Sequence, residues 1–203
     1  MKLQKTTWIL LIFALSLGGF VYFYEIKGAE KRAEIQEEEK KIFAFDKEQI
    51  QSFTIEIEKD SEFLEFERTG DELNPWQMKQ PENVPASDAA VSFLLDLIAE
   101  GKSEKVFSVP TNQLQDYGLD RPFATVNIQL KNNESHQIIL GNPNFDNKFL
   151  YAQTDPQTNP EEELEILLVP IDFQYGVERE LSEWKQESEL PEETSEEELE
   201  EAN

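Results

Sequence analysis

The chain has 203 residues and carries 18 Lys and Arg against 43 Asp and Glu, which gives a formal net charge of −25. This charge excludes a nucleic-acid binder that is held by phosphate contacts. The chain has no Cys, which excludes disulfide scaffolds, thiolate metal sites, iron–sulfur clusters and cysteine nucleophiles. His136 is the single histidine, so a multi-histidine metal centre is excluded as well. A nucleophile-elbow motif and the Walker and dinucleotide glycine patterns are also absent from the sequence, and we predict no catalytic residue, no cofactor and no metal ligand.

The chain begins with a membrane-like segment, an uncharged run over residues 8–24. As a helix this run would be about 26 Å long, near the short end of what spans a bilayer core of about 30 Å. Trp8 at one end and Tyr22 and Tyr24 at the other are typical of membrane–water interfaces. A cleaved signal peptide is the alternative, but bulky residues occupy positions 20–24, where a cleavage site needs small ones. We expect residues 1–24 to form a leader and a single transmembrane anchor.

Composition divides the rest of the chain into three parts. Residues 25–41 are rich in Ala, Glu, Lys and Arg and predict a solvated helical stalk, with a coiled-coil seam as the alternative. Residues 42–186 predict one globular domain, and residues 187–203, with nine Glu and no base, predict a disordered acidic tail. The short basic leader is typical of a signal-anchor and favours a domain outside the cytoplasm, although the basic residues after the apolar run favour the opposite orientation.

The domain begins with strand patterns. Apolar and polar residues alternate over residues 53–57 and again over 64–66, with a polar turn between them, which predicts a hairpin. A shorter run around Trp76 and Met78 predicts a further strand that ends at Pro81.

One helix is predicted after these strands. Ser87 is a suitable N-cap, and Gly101 a suitable stop. Between them the apolar residues recur at the spacing of one helical face, which is expected to pack on the sheet; they are Val91, Leu94, Leu95 and Ile98.

The second half of the domain is again dominated by strands. Residues 106–109 predict a short strand, and residues 112–117 predict one helical turn that Gly118 ends. The clearest pattern is a hairpin over residues 124–141, and further strands are predicted over 149–152 and 166–169. The predicted fold is α+β, a mostly antiparallel sheet with one amphipathic helix packed on it, preceded by a single N-terminal transmembrane helix.

The order of these motifs resembles one known family. The resemblance is carried by Asn-Pro-Trp-Gln-Met at 74–78, the predicted helix, Tyr-Gly-Leu-Asp-Arg-Pro at 117–122, Leu-Gly at 140–141 and Phe-Leu-Tyr-Ala at 149–152. Together they resemble the domain of unknown function 4340 family, over about residues 42–170. The resemblance implies a membrane-anchored bacterial protein, in some relatives beside components of ATP-binding-cassette transporters. It implies no catalytic residue, and we do not expect the acidic tail to belong to the family pattern.

The candidate interaction residues are aromatic or belong to the family motif. Trp76 could be a stacking platform, although a Trp in a strand is more often part of a core. Residues 117–122 could form a binding loop, but Gly118 also suits a left-handed helix end and Leu119 a core contact. The residues that we single out are Trp76, Tyr117, Gly118, Leu119, Asp120, Pro122, Gly141 and Tyr151.

Three further patterns could indicate a catalytic or metal site, but a structural role explains each of them better. His136 lies on a strand and is not accompanied by a nucleophile motif. Residues 142–146 have the first ligand spacing of a calcium loop, but Asn147 stands where that loop needs Gly and Gln153 where it needs Glu. Carboxylates on the polar faces of the strands could form a glycosidase pair, but a solvated face is the simpler interpretation.

Three functions remain open. The first is a non-catalytic accessory of a membrane assembly, such as an ATP-binding-cassette transporter, which contacts a protein partner and lies at the cell membrane. The second is an envelope-facing module for a glycan or peptide, with aromatic residues such as Trp76, Tyr117 and Tyr151 exposed beside a groove. The remote third is a hydrolase that uses paired carboxylates. The expected partners are a membrane and a membrane-complex protein, and the sequence does not give the oligomeric state.

Overall fold

The computed structural model of the chain describes residue 8, residues 13–19, residue 22 and residues 40–58, 62–156 and 163–186. The predicted stalk, apart from residues 40 and 41, and the predicted acidic tail lie outside the described residues.

A single antiparallel sheet of nine strands dominates the structure. In chain order the strands are β1 (Ile50–Ile57), β2 (Glu62–Arg68), β3 (Trp76–Gln80), β4 (Val84–Pro85), β5 (Lys105–Val109), β6 (Ala124–Leu130), β7 (Ser135–Pro143), β8 (Phe149–Thr154) and β9 (Leu164–Pro170). Their order in the sheet is β4-β3-β2-β1-β6-β7-β8-β9-β5. Neighbours in the chain are therefore mostly neighbours in the sheet, except that β1 pairs with β6 and β5 crosses to the far edge beside β9.

A few short helices accompany the sheet. They are α1 (Asp88–Ala99), α2 (Asp172–Val177) and two 3-10 helices, Lys47–Gln49 and Thr111–Tyr117. The predicted cap of α1 is confirmed, because the Ser87 side chain accepts a hydrogen bond from the Ala90 N–H. Gly101 follows one residue after the C-cap, and a Cβ there would lie 1.9 Å from the carbonyl oxygen of Leu97. A glycine is needed at this point because the chain passes so close to the last turn of α1.

The main core lies between α1, α2 and one face of the sheet. Strands alternate buried and partly exposed residues, as in β6, so that every second side chain faces the helices. At the centre the ring of Phe66 stacks on that of Phe53 with 4.7 Å between ring centroids, and the Trp184 ring also contacts Phe66, in a tilted geometry with 5.0 Å between centroids. Trp184 is fully buried, so the segment after α2 closes this core.

The opposite face of the sheet is divided into two halves. Over β8, β9 and β5 it carries a smaller apolar cluster, which the second 3-10 helix and Leu119 cover. Over β1, β6 and the start of β7 it carries polar side chains such as Thr54, Asn127 and Gln137. This second half is not covered by any helix or strand of the described residues, which leaves a polar face open.

The predicted fold class is wrong in its helices. It combined a sheet with one packed helix and a preceding transmembrane helix, whereas the structure is mostly a nine-stranded sheet with several short helices. Within the described residues, no helix combines the length and the apolar character needed to cross a membrane.

Candidate functional site

The family motif at residues 117–122 forms a packed joint between the second 3-10 helix and β7. Gly118 ends the helix in the left-handed conformation with φ of 71°, as predicted. Gly141 lies directly beneath it, and a Cβ on Gly141 would lie 2.4 Å from the carbonyl oxygen of Tyr117 and 3.0 Å from Cδ2 of Leu119. The two glycines therefore allow the helix end to rest on the strand, and Leu119 is buried in the smaller cluster.

Two of the aromatic candidates meet in this cluster. The rings of Tyr117 and Tyr151 form an edge-to-face pair with 4.8 Å between centroids, and Phe107 packs against both at 5.7 and 6.4 Å. All three side chains are half-buried. They hold β5, β8 and the second 3-10 helix together, which is a packing role.

The remaining candidates lie apart from this joint. Trp76 is buried on the opposite face, in edge contact with Phe53 at 5.4 Å, and the Arg68 guanidinium lies 4.6 Å from its ring centroid. Asp120 is exposed and Pro122 half-buried in the loop that leads to β6. The sheet thus separates Trp76 from Tyr117, and the two do not flank a common groove.

A polar groove lies instead on the open face of the sheet, over β1, β6 and β7. It has a volume of about 700 Å³, and its polar side chains include Ser52, Thr54, Asn127, Gln129, Ser135 and Gln137. The sequence interpretation missed this groove because each residue was treated as the solvated side of a strand. The register of the predicted hairpin could have indicated the groove, because it places the polar residues Asn127 and Gln137 directly opposite each other.

One end of the groove is closed by Asp155 and Pro156. Asp155 is held with φ of 41°, and its Oδ1 accepts a hydrogen bond from the Gln137 N–H at 2.7 Å. Its Oδ2 lies 2.8 Å from Nδ1 of His136, whose ring packs against the buried rings of Phe43 and Phe45. The carboxylate and the imidazole therefore fix the turn after β8 to the start of β7.

The region with partial calcium-loop spacing forms a tight turn. Asn144 is buried, and its Oδ1 accepts hydrogen bonds from the N–H groups of Lys148 and Phe149 at 3.2 Å. Asp146 Oδ1 also accepts from the Lys148 N–H. These oxygens are used by the turn itself, and no group of three or more candidate metal ligands occurs in the described parts of the chain.

The two edges of the sheet differ in how they are protected. β4 is two residues long, contains Pro85, and is bordered by the segment after α2, where the Gln186 N–H donates to the Pro85 carbonyl at 3.0 Å. β5 is five residues long and pairs with β9 on one side. Among the described residues, no strand lies on its other side. The neighbouring contact is a bridge between Lys41 and Lys102, just before β5 begins.

The described residues therefore form a β-sheet domain with a polar groove on one face and an open edge at β5. The chain belongs to the family described as a domain of unknown function (DUF4340), whose model matches residues 76–202. The family recognised from the sequence is confirmed, while the membrane anchoring that it implies stays a prediction. The match begins at residue 76 rather than near 42 and extends beyond 170, so the expectation that the acidic tail lies outside the family pattern is wrong. No curated protein and no solved structure matches the chain.

Proposed function

We propose that this protein is a non-catalytic interaction module of a membrane assembly, and that it docks an extended segment of a partner protein along β5. The open edge of β5 is the observation that carries the proposal. An edge strand presents unpaired N–H and C=O groups, and an extended peptide can add to them as a further strand.

The register identifies the backbone groups that face a partner. The Leu168 carbonyl accepts a hydrogen bond from the Glu104 N–H at 2.8 Å, so its backbone groups point towards β5. Lys105 lies opposite Leu168. Because ladder groups alternate along a strand, Lys105, Phe107 and Val109 use their backbone groups towards β9. Val106 and Ser108 therefore direct theirs to the open edge.

The side chains at this edge indicate the chemistry of the partner segment. Val106 is 44% exposed, and Ser108 is also exposed, so a partner strand would meet one apolar and one small hydroxyl side chain. A second copy of the chain is disfavoured, because two molecules that each carry a net charge of −25 repel one another. The partner we propose is a different protein with a β-prone segment that is not strongly acidic.

The proposal that the protein is non-catalytic is supported by the packing role of the family-motif residues. Tyr117, Gly118, Leu119 and Gly141 pack against one another, and Trp76 and Tyr151 are packing residues as well. The membrane setting rests on sequence alone. The uncharged run over residues 8–24 and the implied transporter context favour a place at the cell membrane, with the domain on its extracytoplasmic side.

The test compares two substitutions at one edge position. Val106→Pro removes the outward N–H without removing a ladder bond, a position where an edge strand tolerates proline. Val106→Thr keeps the N–H and the β-branched shape and is the matched control. Tagged full-length variants are purified from gently solubilised membranes after cross-linking, and co-purifying proteins are quantified by mass spectrometry.

We expect a defined membrane-complex protein with the wild type and with Val106→Thr. Its recovery should fall about fivefold or more with Val106→Pro, since the lost hydrogen bond alone is worth about 1 kcal/mol. Equal unfolding midpoints of the variants exclude a folding defect. Equal recovery with Val106→Pro, or no specific partner of the wild type, would contradict the proposal.

A further inference from the structure

We infer that the polar groove over β1, β6 and β7 is a binding site for a neutral, hydroxyl-rich ligand of the oligosaccharide class. This site is separate from the β5 edge and lies over interior strands of the sheet.

The groove presents a row of side chains whose positions are fixed by one another. Gln137 Nε2 donates to Asn127 Oδ1 at 2.6 Å, and Asn127 Nδ2 donates to Thr54 Oγ1 at 3.2 Å and to Glu56 Oε1 at 3.3 Å. A second pair beside them joins Ser135 Oγ to Gln129 Oε1 at 2.9 Å. Amides and hydroxyls on rigid strands are thereby held in place before a ligand arrives, which reduces the entropy cost of binding.

Recognition in this groove falls to side chains rather than to the backbone. β1, β6 and β7 each have a neighbour on both sides, so their N–H and C=O groups are used in the ladders. A peptide could not add to them as a strand. A ligand here must be read by amide and hydroxyl groups, which can donate and accept hydrogen bonds and therefore match the hydroxyls of a sugar.

Charge and polarity exclude other ligand classes. The residues that line the groove in the described structure include no Lys or Arg, and Asp155 closes one end, so an anionic ligand would be repelled. Phe53 and Ile128 are 1% and 2% exposed because their side chains face the core on the other side. The hydrogen-bonding groups of the groove are the amides and hydroxyls of the alternate residues, and a mainly apolar ligand would cover the Gln137 Oε1 acceptor without supplying a donor. A neutral polar ligand remains.

Gln137 connects the row of hydrogen-bonded side chains to Asp155 at the end of the groove. Its side chain bonds to Asn127, while its N–H donates to Asp155 and its carbonyl accepts from the Asp155 N–H at 2.9 Å. Its side-chain Oε1 has no donor among the described residues, so this acceptor is available to a ligand hydroxyl. Gln137→Met keeps the length of the side chain and removes its amide.

The test is a titration of the full-length protein with two neutral oligosaccharides, maltotetraose and chitotetraose, followed by NMR of backbone amides or by calorimetry. A polygalacturonate oligomer is the anionic control. Gln77→Met is the matched variant, because Gln77 is a half-buried amide on the same face of the sheet, on β3 outside the groove.

We expect saturable binding of at least one neutral oligosaccharide at millimolar concentration, with shifts centred on Thr54, Asn127 and Gln137. Gln137→Met should weaken it about five- to tenfold, and Gln77→Met should leave it unchanged. Val106→Pro should also leave it unchanged, which separates this inference from the proposed docking at β5. The absence of saturable binding of both neutral probes, equal affinity in Gln137→Met, or binding of the anionic probe alone would overturn it.

Discussion

Replacement of Gly141 by alanine is the sharpest test of the joint built from the family motif. Gly141 lies in β7 beneath the end of the second 3-10 helix. The added methyl group would lie 2.4 Å from the Tyr117 carbonyl oxygen and 3.0 Å from the Leu119 side chain. Real Cβ contacts do not approach 2.4 Å, and the nearest atom belongs to the backbone. The helix end must therefore move away from the strand.

The cost of this movement can be estimated from the contacts that it disturbs. Insertion of a methyl group into a packed site costs about 1–3 kcal/mol, and here the backbone has to yield rather than a flexible side chain. We expect the free energy of unfolding to fall by about 2–3 kcal/mol. In a domain of this size that corresponds to a lower melting temperature by about 5–10 °C.

The assay is urea unfolding of the full-length protein followed by circular dichroism, with Gly176→Ala as the control. A Cβ at Gly176 would lie 3.3 Å from the Leu94 side chain, so this variant should stay within about 1 kcal/mol of the wild type. A Gly141→Ala protein within about 0.5 kcal/mol of the wild type would refute the packed joint and would reopen residues 117–122 as a mobile binding loop.

Two further predictions concern the core. Trp184 is fully buried against Phe66, so Trp184→Ala should cost about 3–5 kcal/mol of unfolding free energy. Trp184→Phe should cost only about 1–2 kcal/mol, since the indole N–H has no partner among the described residues; equal losses in urea unfolding would contradict this. Arg68 donates from Nε to the Ile50 carbonyl at 3.0 Å and from Nη2 to the Lys47 carbonyl at 3.3 Å, and it also covers the Trp76 ring. Arg68→Lys keeps the charge but loses the two-pronged geometry, so the melting temperature should drop by an amount equivalent to about 1–2 kcal/mol; an unchanged value would show that charge alone matters.

Local patterns predicted the elements because each depends on a few neighbouring residues. The alternation over residues 124–141 and its polar turn specify the β6–β7 hairpin, which the structure confirms with Ala124 opposite Leu140. Ser87 and the apolar stripe specify α1 in the same way. Gly118 was predicted to end a helical turn, and the structure confirms it. Glycine suits this position because it has no Cβ and adopts a positive φ without steric cost.

The arrangement of the strands could not be predicted from such patterns. β5 is separated from its partner β9 by more than fifty residues, and β1 pairs with β6 across several elements. Which strands pair depends on how α1 and α2 pack across one whole face of the sheet, and a local sequence pattern does not contain that information. For the same reason the sequence could not place Trp76 and Tyr117 on opposite faces, or show that the polar positions of three strands form one groove.

Photo-cross-linking from the open edge tests the central claim most directly. A photo-reactive amino acid is placed at Ser108, whose backbone faces away from β9, or at Leu73, which is 87% exposed in the loop between β2 and β3. The account predicts that in intact membranes the probe at position 108 forms an adduct with one defined protein. The probe at position 73 should not, and the adduct should disappear with Val106→Pro. Adducts from position 73 without any from position 108 would contradict the account.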